Sequence, residues 1–239
     1  MTQHIVCLTF DFDVMSGHIA RGMTTPTPIS RGEFGIVGAS RILPLLAAQE
    51  IPSTWFIPGF TIETYPEACA QVVSGGHEIG HHGWTHVQPA LLDPDQEEEE
   101  MIRANDAIKR LTGQTARGYR SPAWDLSPHT LEFLLKHGFH YESSMMGHDY
   151  SPYRIRQGDE IDLHKPMVFG PETALIEMPI SWSLDDFPHF EYLRLPNSLL
   201  PGLANAGHVL ENWIHDFEYM KRTEPWGILT YTMHPFVIG

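Results

Sequence analysis

The sequence predicts an α/β protein built on a parallel sheet of about seven strands. Short β-branched or aromatic runs bounded by Gly, Pro or Ser recur along the 239 residues, and longer stretches of 3.6-residue period lie between most of them. No linker, repeat or low-complexity tract breaks the alternation, so residues 1–239 are expected to form one domain. The sheet is either open and doubly wound or closed into a barrel. In both forms the loops at the carboxyl ends of the strands make the active face.

The first strand is His4–Phe12: Ile5 to Phe12 is apolar for only a few residues before Asp11 and Asp13 interrupt it, and no basic region or cleavage site frames it as a signal peptide. A helix at Glu33–Gln49, a strand at Ser53–Pro58, a helix at Tyr65–Val73 and a strand at His77–Gly80 follow. The helix Pro94–Leu111 starts behind Asp93-Pro94, an N-cap followed by proline at the first helical position, and ends at Gly113, where a left-handed residue is wanted. After the strand Gly118–Ser121, the helix Pro128–His137 repeats the pattern with Ser127-Pro128 and Gly138. Strands His140–Ser144 and Ala174–Ile180, a helix at Pro201–Lys221 and a last strand at Gly227–His234 complete the series. Ser151–Pro171 and Asp185–Pro196 are polar and aperiodic and read as long functional loops. Glu97–Glu100, early in its helix, reads as a solvated face with acids near the positive helix end.

Composition excludes several partners. With 15 Lys+Arg against 30 Asp+Glu and a formal charge of -15, the chain can hardly assemble the basic patch that nucleic acid or an anionic membrane requires. No window approaches the ~20 apolar residues that span a bilayer. Cys7 and Cys69, the two cysteines, lie in apolar stretches and read as reduced thiols, and with no signal-peptide pattern around the first strand the expected location is the cytoplasm. Histidine, at 15, equals lysine and arginine combined.

Four strings can carry chemistry. In Thr9-Phe10-Asp11-Phe12-Asp13 the two carboxylates share one strand face and the two aromatics the other. His77–His86 holds four histidines, His77, His81, His82 and His86. On an extended strand His82 and His86 would be ~13 Å apart, too far to share a metal, so the strand must end near Gly80–Gly83. A His-x-x-x-His pair plus one carboxylate leaves coordination positions open for water, as catalytic zinc requires, and Asp13 is a candidate for that carboxylate. The register stays open at this point, because His77 and His81 are also four apart. Arg120–Asp125 follows a strand, and an arginine there can hold a carboxylate by two hydrogen bonds and keep it ionised. Leu229–Pro235 is a strand ending in His234, which faces the same mouth and is placed to protonate a leaving group.

Together these strings resemble the polysaccharide deacetylase (NodB-homology, carbohydrate esterase family 4) superfamily, whose motifs occur in this order over essentially the whole chain. The resemblance implies a distorted seven-stranded (β/α) barrel and a single catalytic domain. The first motif falls on Thr9–Asp13, with Asp11 as base and Asp13 as metal ligand, and departs from the usual pattern by the inserted Phe12. The second falls on His82–His86, which settles the register; His81 stands where relatives often have asparagine. The third falls on Arg120–Trp124 and the fifth on His234, while the fourth is not clearly present, with Asp185 or Asp186 in its place. The inserted Phe12, Ser143–Asp149 and Trp182–Asp186 look like a branch with peptidoglycan-deacetylase-like proteins and metal-independent allantoinases.

What the resemblance implies is a hydrolase of non-peptide C–N bonds. Zinc or another divalent transition metal sits on Asp13, His82 and His86, Arg120 orients Asp11, and His234 is the acid. The expected substrate is an N-acetylated sugar or related small N-acyl compound, with Trp84, Trp124, Tyr150, Trp182 and Asp185 as candidate substrate contacts and His18, His81 and His148 near the mouth. Two alternatives are a metal-independent ureide hydrolase of allantoinase type and a catalytically silent carbohydrate-binding protein. The chain stops five residues after His234, where a barrel should have a covering helix. A missing tail or a neighbouring copy of the chain is expected to cover that edge.

Overall fold

Phe10 and Phe12 point to one side of the first strand and the carboxylates to the other, and the fold is built around that division. The computed structural model describes residues 4–195 and 198–239. In chain order its strands are β1 His4–Asp11, β2 Thr54–Ile57, β3 Glu78–His81, β4 Gly118–Tyr119, β5 Tyr141–Glu142, β6 Tyr153–Arg156, β7 Glu172–Glu177, β8 Tyr192–Leu195, β9 Ser198–Pro201 and β10 Gly227–Met233. Its helices are α1 Ser16–Ala20, α2 Pro26–Ala48, α3 Gly59–Thr64, α4 Pro66–Ser74, α5 Pro94–Thr112, α6 Thr130–Lys136, α7 Asp186–Phe190, α8 Ala206–Thr223 and α9 Pro235–Ile238. The main sheet runs β10-β1-β2-β3-β4-β5-β7-β6 and curls into a half-barrel, with β8 and β9 as a separate antiparallel ribbon.

The seven expected strands are the seven parallel ones. The eighth, β6, is antiparallel to β7 and lies inside Ser151–Pro171, which the sequence presents as a loop. Its alternation covers only four residues, with Ile155 buried and Arg154 and Arg156 exposed, too short for periodicity to reveal. Those arginines also blunt a sheet edge. The Asp185–Pro196 segment likewise holds α7 and β8; Pro196 lies outside the described residues. Beyond β10 the only further pairing among the described residues is an isolated parallel bridge from Thr232 to Asp185, which brings the chain after β7 against the carboxyl end of β10.

Helix α6 starts at Thr130 rather than Pro128, although the Ser127 hydroxyl accepts from the His129 and Thr130 N–H groups, whereas α5 starts where its cap places it. At α5, Asp93 accepts from the Gln96 N–H and Gln96 accepts from the Asp93 N–H, and Gly113 is left-handed, as expected. Helix α2 starts at Pro26 rather than Glu33, behind a Thr25-Pro26 pair of the same kind as Asp93-Pro94. The helix expected from Pro201 starts at Ala206, because Pro201 closes β9 and Asn205 accepts from the His208 N–H as the true N-cap. After β10 the chain forms α9, which seats against α2 so closely that a Cβ at Gly38 would lie 1.9 Å from the Pro235 carbonyl oxygen.

The outer face of the sheet packs as the alternation demands. Phe10 stacks on Trp55 at 4.6 Å and Phe12 meets the same ring edge-on at 5.5 Å. Cys69, Val72, Ala104 and Ile108 of α4 and α5 belong to the same buried cluster. On the inner face Gly118 carries no side chain because Tyr141 fills the space; a Cβ there would sit 2.0 Å from the ring. Among the described residues no helix is long and apolar enough to cross a membrane.

Candidate active site

Strands β1, β3, β4 and β10 all deliver a polar side chain just past their carboxyl ends, and these meet in one buried cluster. Arg120, fully buried, donates from Nη1 to Asp11 Oδ1 at 2.8 Å and to Thr9 Oγ1 at 2.9 Å. Its Nε donates to the Ser143 carbonyl at 3.0 Å and its Nη2 to Ser143 Oγ at 3.0 Å. The guanidinium lies 4.2 Å from the centre of the Phe56 ring. Burial alone would raise the Asp11 pKa, but Arg120, His82 and His234 together outweigh it and hold the carboxyl below its ordinary value. Asp11 is therefore an anion with one oxygen pinned and Oδ2 free.

The turn after β3 brings the His-x-x-x-His pair together. His81 anchors it, accepting from the Gly83 N–H at Nδ1 and donating from Nε2 to the Met101 carbonyl. His86 sits in the left-handed region at φ 62°, which swings its ring to within 4.9 Å of the His82 ring. His82 Nδ1 lies 2.7 Å from the Arg120 carbonyl oxygen, and since a carbonyl only accepts, the proton is on Nδ1 and the Nε2 lone pair is free. That lone pair faces Asp13 Oδ1 at 3.4 Å, and His86 Nε2 faces Asp13 Oδ2 at 3.4 Å.

This donor set fits a metal ion. Asp13 Oδ1 and His82 Nε2 are both buried and have no hydrogen-bond partner, and one ligand atom each from Asp13, His82 and His86 lie within 4.8 Å of one another. Burial raises the Asp13 carboxyl above its ordinary value, and two unpaired acceptors facing each other repel unless a proton or a metal cation lies between them. Burial pushes the His82 imidazole down, and burial followed by the charge of Arg21 pushes His86 down to about 3, so both are neutral and free to ligate.

His234 faces Asp13 Oδ2 from the opposite side, at 3.9 Å from Nε2. Its Nδ1 lies 2.7 Å from Asp186 Oδ1, and its backbone N–H donates to Asp186 Oδ2 at 2.8 Å. Burial lowers its pKa, but the charge and hydrogen bond of Asp186, with help from Asp185, raise it to about 10. Of the two adjacent acids, Asp186 makes both bonds to His234, while Asp185 lines the cavity 3.5 Å from the same imidazole.

A cavity of about 100 Å³ opens over Asp11, Asp13, His86 and His234. Trp124 and Trp182 flank it, stacked on each other at 4.0 Å. Trp84 and Tyr150, expected beside them, are elsewhere: Trp84 is buried against α3 and α5 with Arg103 over its ring, and Tyr150 is buried beside Gly227, at the amino end of β10. Of the further histidines, His18 lines the cavity, His81 is buried behind it and His148 is exposed at the surface.

Residues 36–141 match the polysaccharide deacetylase family profile. Over 98% of its length the chain is 37% identical to a peptidoglycan deacetylase of Helicobacter pylori, of which it covers 84%. The chain belongs to the polysaccharide deacetylase family. Like other members of that family it is a hydrolase of carbon–nitrogen bonds other than peptide bonds. A solved structure described as a polysaccharide deacetylase of Mycobacterium smegmatis superposes over 99% of the chain, and 78% of its own, with a TM-score of 0.84 and 29% identity. The fold is also shared with PuuE allantoinase, at a TM-score of 0.77 and 20% identity over 99% of the chain and 79% of that structure. Within this deacetylase framework the sequence does not point to Ser143, which takes three of its bonds to Arg120 and Met178 through one backbone and one side-chain oxygen, or to Arg21 and Phe187 at the mouth. Ser143 belongs to the Ser143–Asp149 string that carries the branch resemblance, and Arg21 belongs to none of the strings.

Proposed function

We propose that the protein is a metal-dependent deacetylase of N-acetylated sugars, and that residues 1–239 act as one catalytic domain. The observation that carries this reading is the pair of buried, partnerless acceptors, Asp13 Oδ1 and His82 Nε2, next to an ionised Asp11 and a protonated His234. Asp13, His82 and His86 would hold the ion, zinc or another divalent transition metal, which when bound supplies Lewis acidity and a water of lowered pKa. Asp11 takes the proton of the attacking water at Oδ2, because Arg120 occupies Oδ1 and keeps the carboxylate ionised. His234, protonated by virtue of Asp186, gives the Nε2 proton to the departing amine while Nδ1–H stays on the carboxylate. The products are acetate and a free amino sugar.

Size supports the division of the substrate. At about 100 Å³ the cavity is well below the roughly 300 Å³ of an ordinary ligand pocket. It suits an acetyl group, leaving the sugar at the mouth against Trp124 and Trp182. The peptidoglycan deacetylase relative makes a cell-wall amino sugar the first substrate to try. Elemental analysis and a deacetylation assay on N-acetylglucosamine oligomers test the reading together. H82A/H86A should lose bound metal and turnover. Full metal retention in that variant would remove the ligand assignment, and chelator-resistant activity on a cyclic ureide would replace the reading with the allantoinase type.

A further inference from the structure

Arg21 caps the end of α1 and lines the catalytic cavity, yet the reaction above gives it no task. Its Nη1 donates to the Gly17 carbonyl at 2.6 Å, and among the described residues its guanidinium forms no salt bridge. Two other arginines of this region are each committed to a carboxylate: Arg120 to Asp11 at 2.8 Å and Arg31 to Glu191 at 2.5 Å. Gly17 lets the cation come close. A Cβ at Gly17 would stand 3.0 Å from Arg21 Nη1, 3.7 Å from His86 Nδ1 and 3.8 Å from Asp13 Oδ2, so the absence of a side chain there brings the guanidinium beside the ligand cluster. At the cavity this guanidinium lies 6.0 Å from the centre of the Phe187 ring and has donors to spare, and in a chain with 30 acidic and 15 basic side chains it is a cation that can meet an anion entering from outside.

We infer that Arg21 receives a carboxylate carried by the substrate apart from its N-acyl group, so that the site selects anionic N-acyl sugars over neutral ones. This rests on the deacetylase reading and adds a specificity-determining residue to it. The planar fork of a guanidinium suits a carboxylate, which a lysine would meet only as a point charge. A competing role is electrostatic: the Arg21 charge helps keep His86 neutral. That role alone would weaken metal binding and slow every substrate equally.

N-acetylmuramic acid and N-acetylglucosamine share the ring and the acetamido group and differ by a lactyl carboxylate, so they separate the two roles. With metal-loaded wild type, R21A and R21K, kcat, KM and bound metal should be measured for both sugars, and binding of each followed by NMR titration without reference to turnover. R21A is expected to raise KM for the acidic sugar by about ten- to a hundredfold, the worth of a charged hydrogen-bond pair, and to leave metal content and the neutral sugar within about twofold, because burial, the larger cause, keeps His86 neutral without Arg21. R21K should recover part of the loss. An N-acetyl amino acid that binds as tightly through Arg21 would keep the carboxylate subsite and assign its source to a peptide rather than a sugar acid. Equal losses on both sugars, loss of metal from R21A, or no preference for the carboxylate in the wild-type titration would overturn the inference. If neither sugar is cut but the titration preference disappears in R21A, the deacetylase reading fails and the carboxylate subsite stands.

Discussion

Asp186 is fully buried and gives one oxygen to the His234 ring and the other to its backbone N–H, so a single carboxylate both charges the imidazole and fixes its direction. An acid works only while protonated, and a histidine raised to about 10 is lost as an acid only when the pH climbs through that value. D186N removes the charge while keeping an acceptor, and should let the His234 pKa fall toward the ordinary ~6.5. The alkaline limb of the kcat–pH profile would then move down by about three units, leaving about a tenfold deficit near pH 8. An alkaline limb in the same place in D186N would remove Asp186 from this role. The sequence did carry most of the site at this scale, because Asp11 with Asp13 and His82 with His86 are each close along the chain and their spacing has geometric meaning. It could not separate Asp185 from Asp186, since which of two adjacent acids meets a histidine nearly fifty residues away is decided by the turn into α7. Nor could it sort Trp124 and Trp182 at the rim from Trp84 and Tyr150 in the interior, because a large aromatic serves either place.

The strand pair β5 and β7 sets Glu142 beside Glu177 in register, both buried, on the segment whose next residue, Ser143, holds Arg120. Ser144 donates to Glu142 from its N–H and its hydroxyl, and the Met145 N–H donates to Glu177 Oε1. Glu177 Oε2 has no donor, which suits a carboxyl that has kept its proton and faces a second carboxyl. Burial, then the charge of Glu142, push Glu177 up to about 11. The folded state thus binds a proton that the unfolded chain releases above ~4.3, so this contribution to stability is complete in acid and declines as pH rises toward the folded value. E177Q keeps the neutral form and its acceptor, and should be more stable than wild type at pH 8 by on the order of 1–3 kcal/mol, with little difference near pH 5. Urea unfolding at both pH values reads this directly, and equal differences at the two would show that the pair does not hold a proton. Register of this kind is invisible in sequence, where Glu142 and Glu177 are two unremarkable acids in separate strands. The elements themselves were legible wherever a period or a cap marked them, as at α5 and the seven parallel strands. The short pieces α1, α3 and α7 were not, because five or six residues carry no period, although α1 and α7 line the cavity.

At the scale of the molecule, Asp13 and the two histidines join the end of β1 to the turn after β3, across β2, which pairs with both. An ion bound there would tie together parts of the fold that are far apart along the chain, and the unfolded chain cannot present the three ligands at once. Binding to the native state alone stabilises it by RT ln(1 + [L]/Kd), about 2.7 kcal/mol when free metal is a hundred times Kd. For a chain of this length one kcal/mol is worth about 2–4 °C in Tm, so stripping the metal should lower Tm by about 5–11 °C. The formal charge of -15 adds a second expectation: a divalent cation is drawn to such a protein over distance, and its capture should slow as added salt shortens the screening length. The control is D13N, which removes one ligand's charge at the cost of a buried, otherwise partnerless oxygen. Differential scanning fluorimetry of zinc-loaded and chelator-treated protein, with metal content measured on the same samples, should show the drop in wild type and almost none in D13N. A wild-type Tm that stays unchanged when the metal is shown to be gone, or an equal drop in D13N, would mean that the three side chains do not hold the ion together and that their approach is a property of the folded chain alone.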